Sequence, residues 1–135
     1  VGATALGRYH GRFETVKDRL NAYYVVNTRR PLAGSPDDIC FMMDQIERCS
    51  RMRVSGFINN SNLSFETTAE NLAEGMEVLG EVARRTGRPI AYISGTKEVL
   101  HQFSEMTGNI HPSEKLLPIE TYTRPVWMEM SLETL

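Results

Sequence analysis

Short apolar runs alternate along the chain with longer stretches in which apolar residues recur at helical spacing. Three runs rich in β-branched and aromatic residues are typical of buried strands and cover residues 22–27 (AYYVVN), 53–58 and 89–94 (PIAYIS). A weaker run over 115–123 contains Pro118, which restricts that strand to a sheet edge. Since helical patterns separate the strands, the sequence predicts an α/β fold with a mostly parallel sheet and flanking helices.

Capping residues mark the predicted helices. Ser35 and Pro36 begin one that extends to about Met52, because serine caps a helix and proline suits its first turn. Thr67 and Glu70 have capping-box spacing at the start of the next, which is expected to end at Gly87. Two further helices are predicted over residues 5–16 and 96–106.

Composition predicts a single domain over residues 1–135 and excludes several classes of function. The net charge of −2 gives no electrostatic support for binding nucleic acid, and no apolar run is long enough for a membrane span. Cys40 and Cys49 lie on opposite sides of one predicted helix, so reduced thiols and a cytoplasmic location are expected. The three histidines have no metal-like spacing, and no Ser-His-Asp or Cys-His arrangement predicts a catalytic residue.

Paired asparagines follow the strand that ends at residue 58. In an open α/β sheet, ligands bind in the crevice at the carboxyl ends of the strands. The amides of Asn59 and Asn60 both donate and accept hydrogen bonds, as recognition of a purine edge requires. The alternative for Asn59 is a turn-forming role, and Asn60 and Asn62 also suit shaping of the loop by hydrogen bonds to the backbone.

The long loop after residue 27 carries a pair of arginines. Arg29 and Arg30 can contact a phosphate or a partner's carboxylate, or they can form a solvated pair. The chain contains no GxxxxGK[ST] loop, which would bind phosphates. The residues therefore predict half of a nucleotide site, without the half that holds phosphate.

Several segments together resemble the C-terminal half of a MinD/ParA-type P-loop ATPase, of the CobQ/CobB/MinD/ParA and dethiobiotin-synthetase-like class. The similarity is to a bacterial subgroup described as ATP-binding proteins and covers most of residues 1–125. It is carried by these segments: VGATALGRY at 1–9, VVNTRRP at 25–31, IERCSRMRVSGFINNSNLSFETT at 46–68, EG at 74–75 and GRPIAYISG at 87–95.

The resemblance implies a partial P-loop NTPase, a Rossmann-like three-layer sandwich whose Walker A and Walker B segments are absent from this chain. It assigns adenine contact to Asn59 and closure over the base to Ser94, Gly95 and Thr96. The parent would bind ATP and Mg²⁺ and hydrolyse the nucleotide, whereas this chain alone is expected to be inactive and to be a fragment.

Two alternatives to nucleotide binding stay open. The chain can instead be a non-catalytic assembly module that pairs with a partner through an exposed sheet edge. It can also be an α/β enzyme that binds a different small ligand in the same crevice. In the parent class the strand at residues 22–27 lies beside the P-loop strand, so here it is expected to associate with the missing N-terminal half or with itself.

Overall fold

A computed structural model describes residues 2–63 and 66–120 of the chain. Five helices are α1 (Gly2–Gly7), α2 (His10–Glu14), α3 (Pro36–Ser50), α4 (Ala69–Thr86) and α5 (Lys97–Met106). Four strands are β1 (Tyr23–Val26), β2 (Gly56–Asn59), β3 (Ile90–Gly95) and β4 (Leu116–Pro118). Short 3₁₀ turns at Lys17–Arg19 and Ser113–Lys115 precede β1 and β4. From β1 onward, the predicted alternation of strands and helices is confirmed.

The local signals that begin and end α3 act as expected. The Ser35 hydroxyl accepts a hydrogen bond from the backbone N–H of Asp38 at 3.2 Å, and Pro36 occupies the first helical position. The helix ends two residues before the predicted limit, where Arg51 adopts a left-handed conformation with φ of 57°.

The capping box of α4 lies one residue later than predicted. Thr68 accepts a hydrogen bond from the N–H of Asn71, whose side chain accepts one from the N–H of Thr68 in return. Thr67 instead belongs to the preceding loop, where its hydroxyl donates to the Asn62 side chain and accepts from the N–H of Leu63. The assignment of the box to Thr67 and Glu70 is therefore wrong.

The predicted helix over residues 5–16 is also wrong as a single element. Two short helices occupy this region, separated at Arg8 and Tyr9. A Cβ atom added to Gly7 would lie 2.3 Å from the carbonyl oxygen of Cys49, so α1 contacts the backbone at the end of α3. This close approach holds α1 against α3.

All four strands are parallel and lie in the order β1-β2-β3-β4. Right-handed connections between strands in sequential order place the connecting helices on one face of the sheet. The buried side chains agree, because strand residues of that face pack with α3, α4 and α5 in two adjoining clusters. The buried strand residues in these clusters are Val26, Phe57 and Ile93. We call this side the helix face.

The other side of the sheet, which we call the open face, carries apolar side chains that no described helix covers. Its residues are Tyr23, Val25, Ile58, Tyr92 and Leu117. The rings of Tyr23 and Tyr92 meet edge to face across β2, with centroids 5.7 Å apart. The β2 residue opposite Tyr23 is Gly56, whose missing side chain leaves room for this contact. Val25 is 53% exposed and Leu117 is 42% exposed.

Within the described sheet, β1 and β4 each pair with one neighbouring strand. The edge position of Pro118 is as predicted. The described part of the chain is thus α/β, with a four-stranded all-parallel sheet and helices on one face. None of its helices combines the length and apolarity that crossing a bilayer requires.

Candidate functional site

The carboxyl ends of β2 and β3 bring together the residues that the sequence assigned to a base-binding site. Asn59 is the last residue of β2 and lies opposite Ile93 of β3. Asn60 follows it directly, Ser94 and Gly95 are the last two residues of β3, and Thr96 follows that strand. The arrangement forms an edge of amides and hydroxyls, and the structure assigns these side chains different tasks.

The Asn59 side chain points to the helix face and is fully buried. Its Nδ2 donates to the carbonyl oxygen of Leu72 in α4 at 3.1 Å. Its Oδ1 accepts from the backbone N–H of Ser61 at 3.2 Å and from the Ser61 hydroxyl at 2.7 Å. The amide therefore joins β2, the following loop and α4.

Gly75 explains how α4 comes so close to this amide. A Cβ atom at this position would lie 2.3 Å from the Ser61 hydroxyl oxygen and 2.7 Å from Asn59 Oδ1. Only glycine lets the helix backbone rest against the network without displacing it. The EG pair that contributed to the family resemblance thus has a packing role in this chain.

Asn60 points the opposite way, toward the open face. Its Oδ1 accepts a hydrogen bond from the Ser94 hydroxyl at 2.8 Å, and its backbone N–H donates to the carbonyl oxygen of Val26. Its Nδ2 makes no hydrogen bond to any described residue. The contact with Ser94 fixes the orientation of the amide, so the NH₂ group is left as a donor.

The other predicted base-binding residues have structural partners too. Ser94 is buried and donates to Asn60, and the carbonyl oxygen of Gly95 accepts from the N–H of Ile119 at 2.8 Å. The Thr96 hydroxyl caps α5 by accepting from the N–H of Val99 at 3.3 Å. These three residues fix the end of β3, and Thr96 is exposed at the start of α5.

The two arginines of the β1–α3 loop differ from each other. Arg29 forms an ion pair with Glu74 of α4 at 2.7 Å and thereby holds the loop against the helix. Arg30 is exposed and forms no ion pair with a described residue. Of the pair, Arg30 is the cation available to a ligand.

Asn27 is a residue whose importance the sequence analysis missed. Its Oδ1 accepts from the N–H groups of Arg29 and Asn62, and its Nδ2 donates to the carbonyl oxygen of Asn62 at 2.9 Å. It thus ties the loop after β1 to the loop after β2 through the backbone of Asn62. An asparagine at the end of the neighbouring strand was the available signal.

A cleft of about 430 Å³ opens between these loops. Asn60 and Arg30 line it together with apolar side chains of β1, the loop and α3. The lining residues are Tyr24, Val25, Asn27, Arg30, Pro31, Leu32, Ala33, Met42 and Asn60. Burial raises the pKa of the Tyr24 hydroxyl, which is therefore a neutral donor at physiological pH. The cleft combines a cation and a fixed amide donor with apolar walls.

A second cleft, of about 310 Å³, lies at the opposite end of the sheet. It is bordered by α2 and by the segment before β2, including Arg51 and Arg53. Lys17 also lines it, but its ammonium group is paired with Glu14 at 2.9 Å. This cleft lies at the amino ends of the strands, away from the amides at the carboxyl edge.

Comparisons with protein-family models, with curated proteins and with solved structures give no match to this chain. The resemblance to MinD/ParA-type ATPases therefore stays a prediction that depends on the motifs quoted above.

Proposed function

We propose that this chain binds an adenine nucleotide at the carboxyl edge of its sheet, as the base-recognition part of a MinD/ParA-like P-loop ATPase. The observation that carries the proposal is the state of Asn60. Its amide oxygen is held by Ser94, its NH₂ group has no described partner, and it lines the same cleft as Arg30.

We therefore assign base recognition to Asn60 and not to Asn59. The Asn59 amide already bonds to Leu72 and Ser61 inside the protein, so contact with a base would require breaking those buried bonds. The Asn60 NH₂ group needs no such rearrangement and can donate to a ring nitrogen of a purine. Apolar walls such as Met42 suit the faces of a planar base, and Arg30 suits an anionic group attached to it.

The described residues suit a base better than they suit Mg²⁺. Across the described residues, no group of three or more histidine, cysteine, aspartate or glutamate side chains is placed to hold a metal ion. The Walker A lysine and hydroxyl that would hold the phosphates are also absent from the sequence. The proposed role of this chain is therefore to bind and orient the base, without a catalytic step of its own.

Equilibrium titration with adenosine and ATP, followed by NMR of the backbone amides, tests the proposal. Adenosine is expected to shift the signals of Asn60 and Thr96, and Asn60→Ala should weaken binding at least several-fold. Gln102→Ala is the control, because it removes an exposed amide from α5 far from the cleft. Unchanged affinity in Asn60→Ala, or no binding of adenosine at all, would contradict the proposal.

A second candidate function, an assembly module, is favoured by the edge of β1. The carbonyl oxygens of Ala22 and Val26 accept from Ser55 and Asn60, so alternate residues of β1 direct their backbone groups to β2. Tyr23 and Val25 consequently direct theirs away from the described sheet. Such unpaired groups are a template for pairing with another strand.

Val25→Pro tests this candidate, because proline removes the outward N–H without removing a bond to β2. If the edge pairs with a second copy, light scattering is expected to show a dimer for the unchanged chain and a monomer for the variant. Tyr9→Ala is the control, because it changes an exposed residue outside β1. A monomeric unchanged chain would contradict self-association through β1.

A further inference from the structure

The open face is an apolar surface of the sheet that no described helix covers. It is formed by side chains from all four strands: Tyr23, Val25, Ile58, Tyr92 and Leu117. The opposite side of the same strands packs against three helices. Apolar side chains of a central strand are normally buried on both sides in a parallel sheet. We therefore expect another segment or a partner to bury the open face.

The size of this face limits what can cover it. The strands have three to six residues each, and strands lie about 4.8 Å apart with a rise of about 3.3 Å per residue, so the face measures roughly 200–300 Å². A stable interface with a folded partner needs about 800 Å² on each side. The face alone is too small for a stable dimer and matches one short segment of chain.

Such a segment follows β4 directly. The chain is held to the sheet as far as Ile119, whose N–H donates to Gly95, and it leaves beside Leu117 of the open face. The 15 residues from 121 to 135 come next. Fully extended they reach about 50 Å, and even in a helix they would reach about 22 Å. Either length exceeds the roughly 14 Å between the outer strands.

The composition of this segment suits the open face. Five large apolar residues fall within residues 126–132, which read VWMEMSL. Among them is Trp127, the only tryptophan in the protein. We propose that residues 121–135 dock on the open face of their own chain, with Trp127 against the Tyr23–Tyr92 pair. The inference goes beyond nucleotide binding, since only Val25 of the five open-face residues also lines the cleft.

The single tryptophan makes the proposal directly testable by fluorescence. Docking predicts that the emission of the folded chain lies at shorter wavelength than that of the chain unfolded in urea, and that acrylamide quenches it less. Both differences should be independent of protein concentration. Emission equal to that of the unfolded chain would overturn the proposal, and so would a difference that is lost on dilution, which would indicate a second copy as the cover.

Val25→Lys places a charge on the outer strand of the open face, where a covering segment would sense it. This variant should move the emission to longer wavelength and increase quenching by acrylamide. Phe41→Lys is the matched control, because Phe41 is a large exposed residue on α3. Equal effects of the two substitutions would overturn the proposal.

Cross-linking gives an independent measurement if Val25→Lys fails to fold. Replacing Tyr92 by p-benzoylphenylalanine keeps an aromatic ring on the open face. Irradiation of the monomer should then join this position to a peptide from residues 121–135, as read by mass spectrometry. A cross-link confined to other peptides would overturn the proposal.

Discussion

The two faces of the sheet are built from alternate residues of the same strands and have different roles. On the helix face, Val26, Phe57 and Ile93 are at most 1% exposed and pack against α3, α4 and α5. On the open face, the neighbouring side chains are exposed or half-buried. Asn59 and Asn60 fall on opposite faces and follow the same division. One amide holds the fold together, and the next is available to a ligand.

The comparison shows that a position at a strand end does not decide function by itself. Both asparagines lie at the carboxyl edge, where a ligand crevice is expected. The face to which each side chain points determines whether a helix already occupies its hydrogen-bonding groups. In this chain the Asn59 amide donates to Leu72 of α4, whereas Asn60 lines the cleft.

The largest expected effect comes from deleting a ring on the helix face. Phe57→Ala should reduce the free energy of unfolding by about 3–5 kcal/mol, the usual cost of a cavity left by a fully buried phenylalanine. Ile58→Ala, the next residue of β2 on the open face, should cost less because its side chain is half-buried. Urea unfolding measures both, and equal losses would mean that the two faces are equally buried in solution.

Replacing either of two glycines of α4 by alanine should change the stability in opposite directions. Gly75→Ala should destabilise the protein by about 1–3 kcal/mol, because the new methyl group meets the Asn59–Ser61 network. Gly80→Ala meets nothing within 4 Å and should stabilise the helix by about 0.5–1 kcal/mol. Thermal unfolding followed by circular dichroism compares them. A stabilising Gly75→Ala would show that α4 does not rest on the network.

Alanine substitutions of Asn59 and Asn60 should reduce the stability by different amounts. Asn59→Ala should reduce stability by about 1–3 kcal/mol, since Leu72 and Ser61 lose buried hydrogen-bond partners. Asn60→Ala removes one contact, with Ser94, at the border of the cleft and should cost less. Urea unfolding of both variants is the measurement. A larger loss for Asn60→Ala would reverse the roles assigned to the pair.

The smallest expected effect is a pH dependence at the border of the cleft. Burial raises the pKa of Tyr24 in the folded protein above the unfolded value of about 10. The unfolded chain loses this proton first, so the contribution of Tyr24 to stability is complete below pH 10 and falls as pH rises through the folded pKa. Tyr24→Phe should make the loss of stability above pH 10 shallower, as measured by urea unfolding at a series of pH values.

The sequence predicted the architecture well because its signals are local. Ser35 caps the start of α3, and Gly87 in a left-handed conformation ends α4, as predicted. The apolar runs in β1 and β3 mark strands, and Pro118 marks an edge. The β2 strand starts at Gly56 and not at residue 53, and the N–H of Val54 donates to the Glu47 carboxylate instead of to a strand.

The site was less predictable because its chemistry depends on contacts between distant residues. Nothing near Asn59 in the sequence indicates that Gly75 lets α4 approach it, or that Leu72 accepts its amide hydrogen. The pairing of Arg29 with Glu74 likewise joins residues on separate elements. Sequence alone therefore predicted which polar residues lie at the carboxyl edge of the sheet, but could not separate bonded groups from available ones.

The sequential order of the strands has a consequence for synthesis on the ribosome. Because each strand pairs with the next one along the chain, β1, α3 and β2 can assemble as soon as the segment through Asn59 has emerged, and each later helix and strand adds to an existing edge. No strand of the described sheet has to wait for a distant part of the chain. Domains that form N-terminal units first can fold during elongation, so this chain is suited to stepwise, co-translational growth of its sheet.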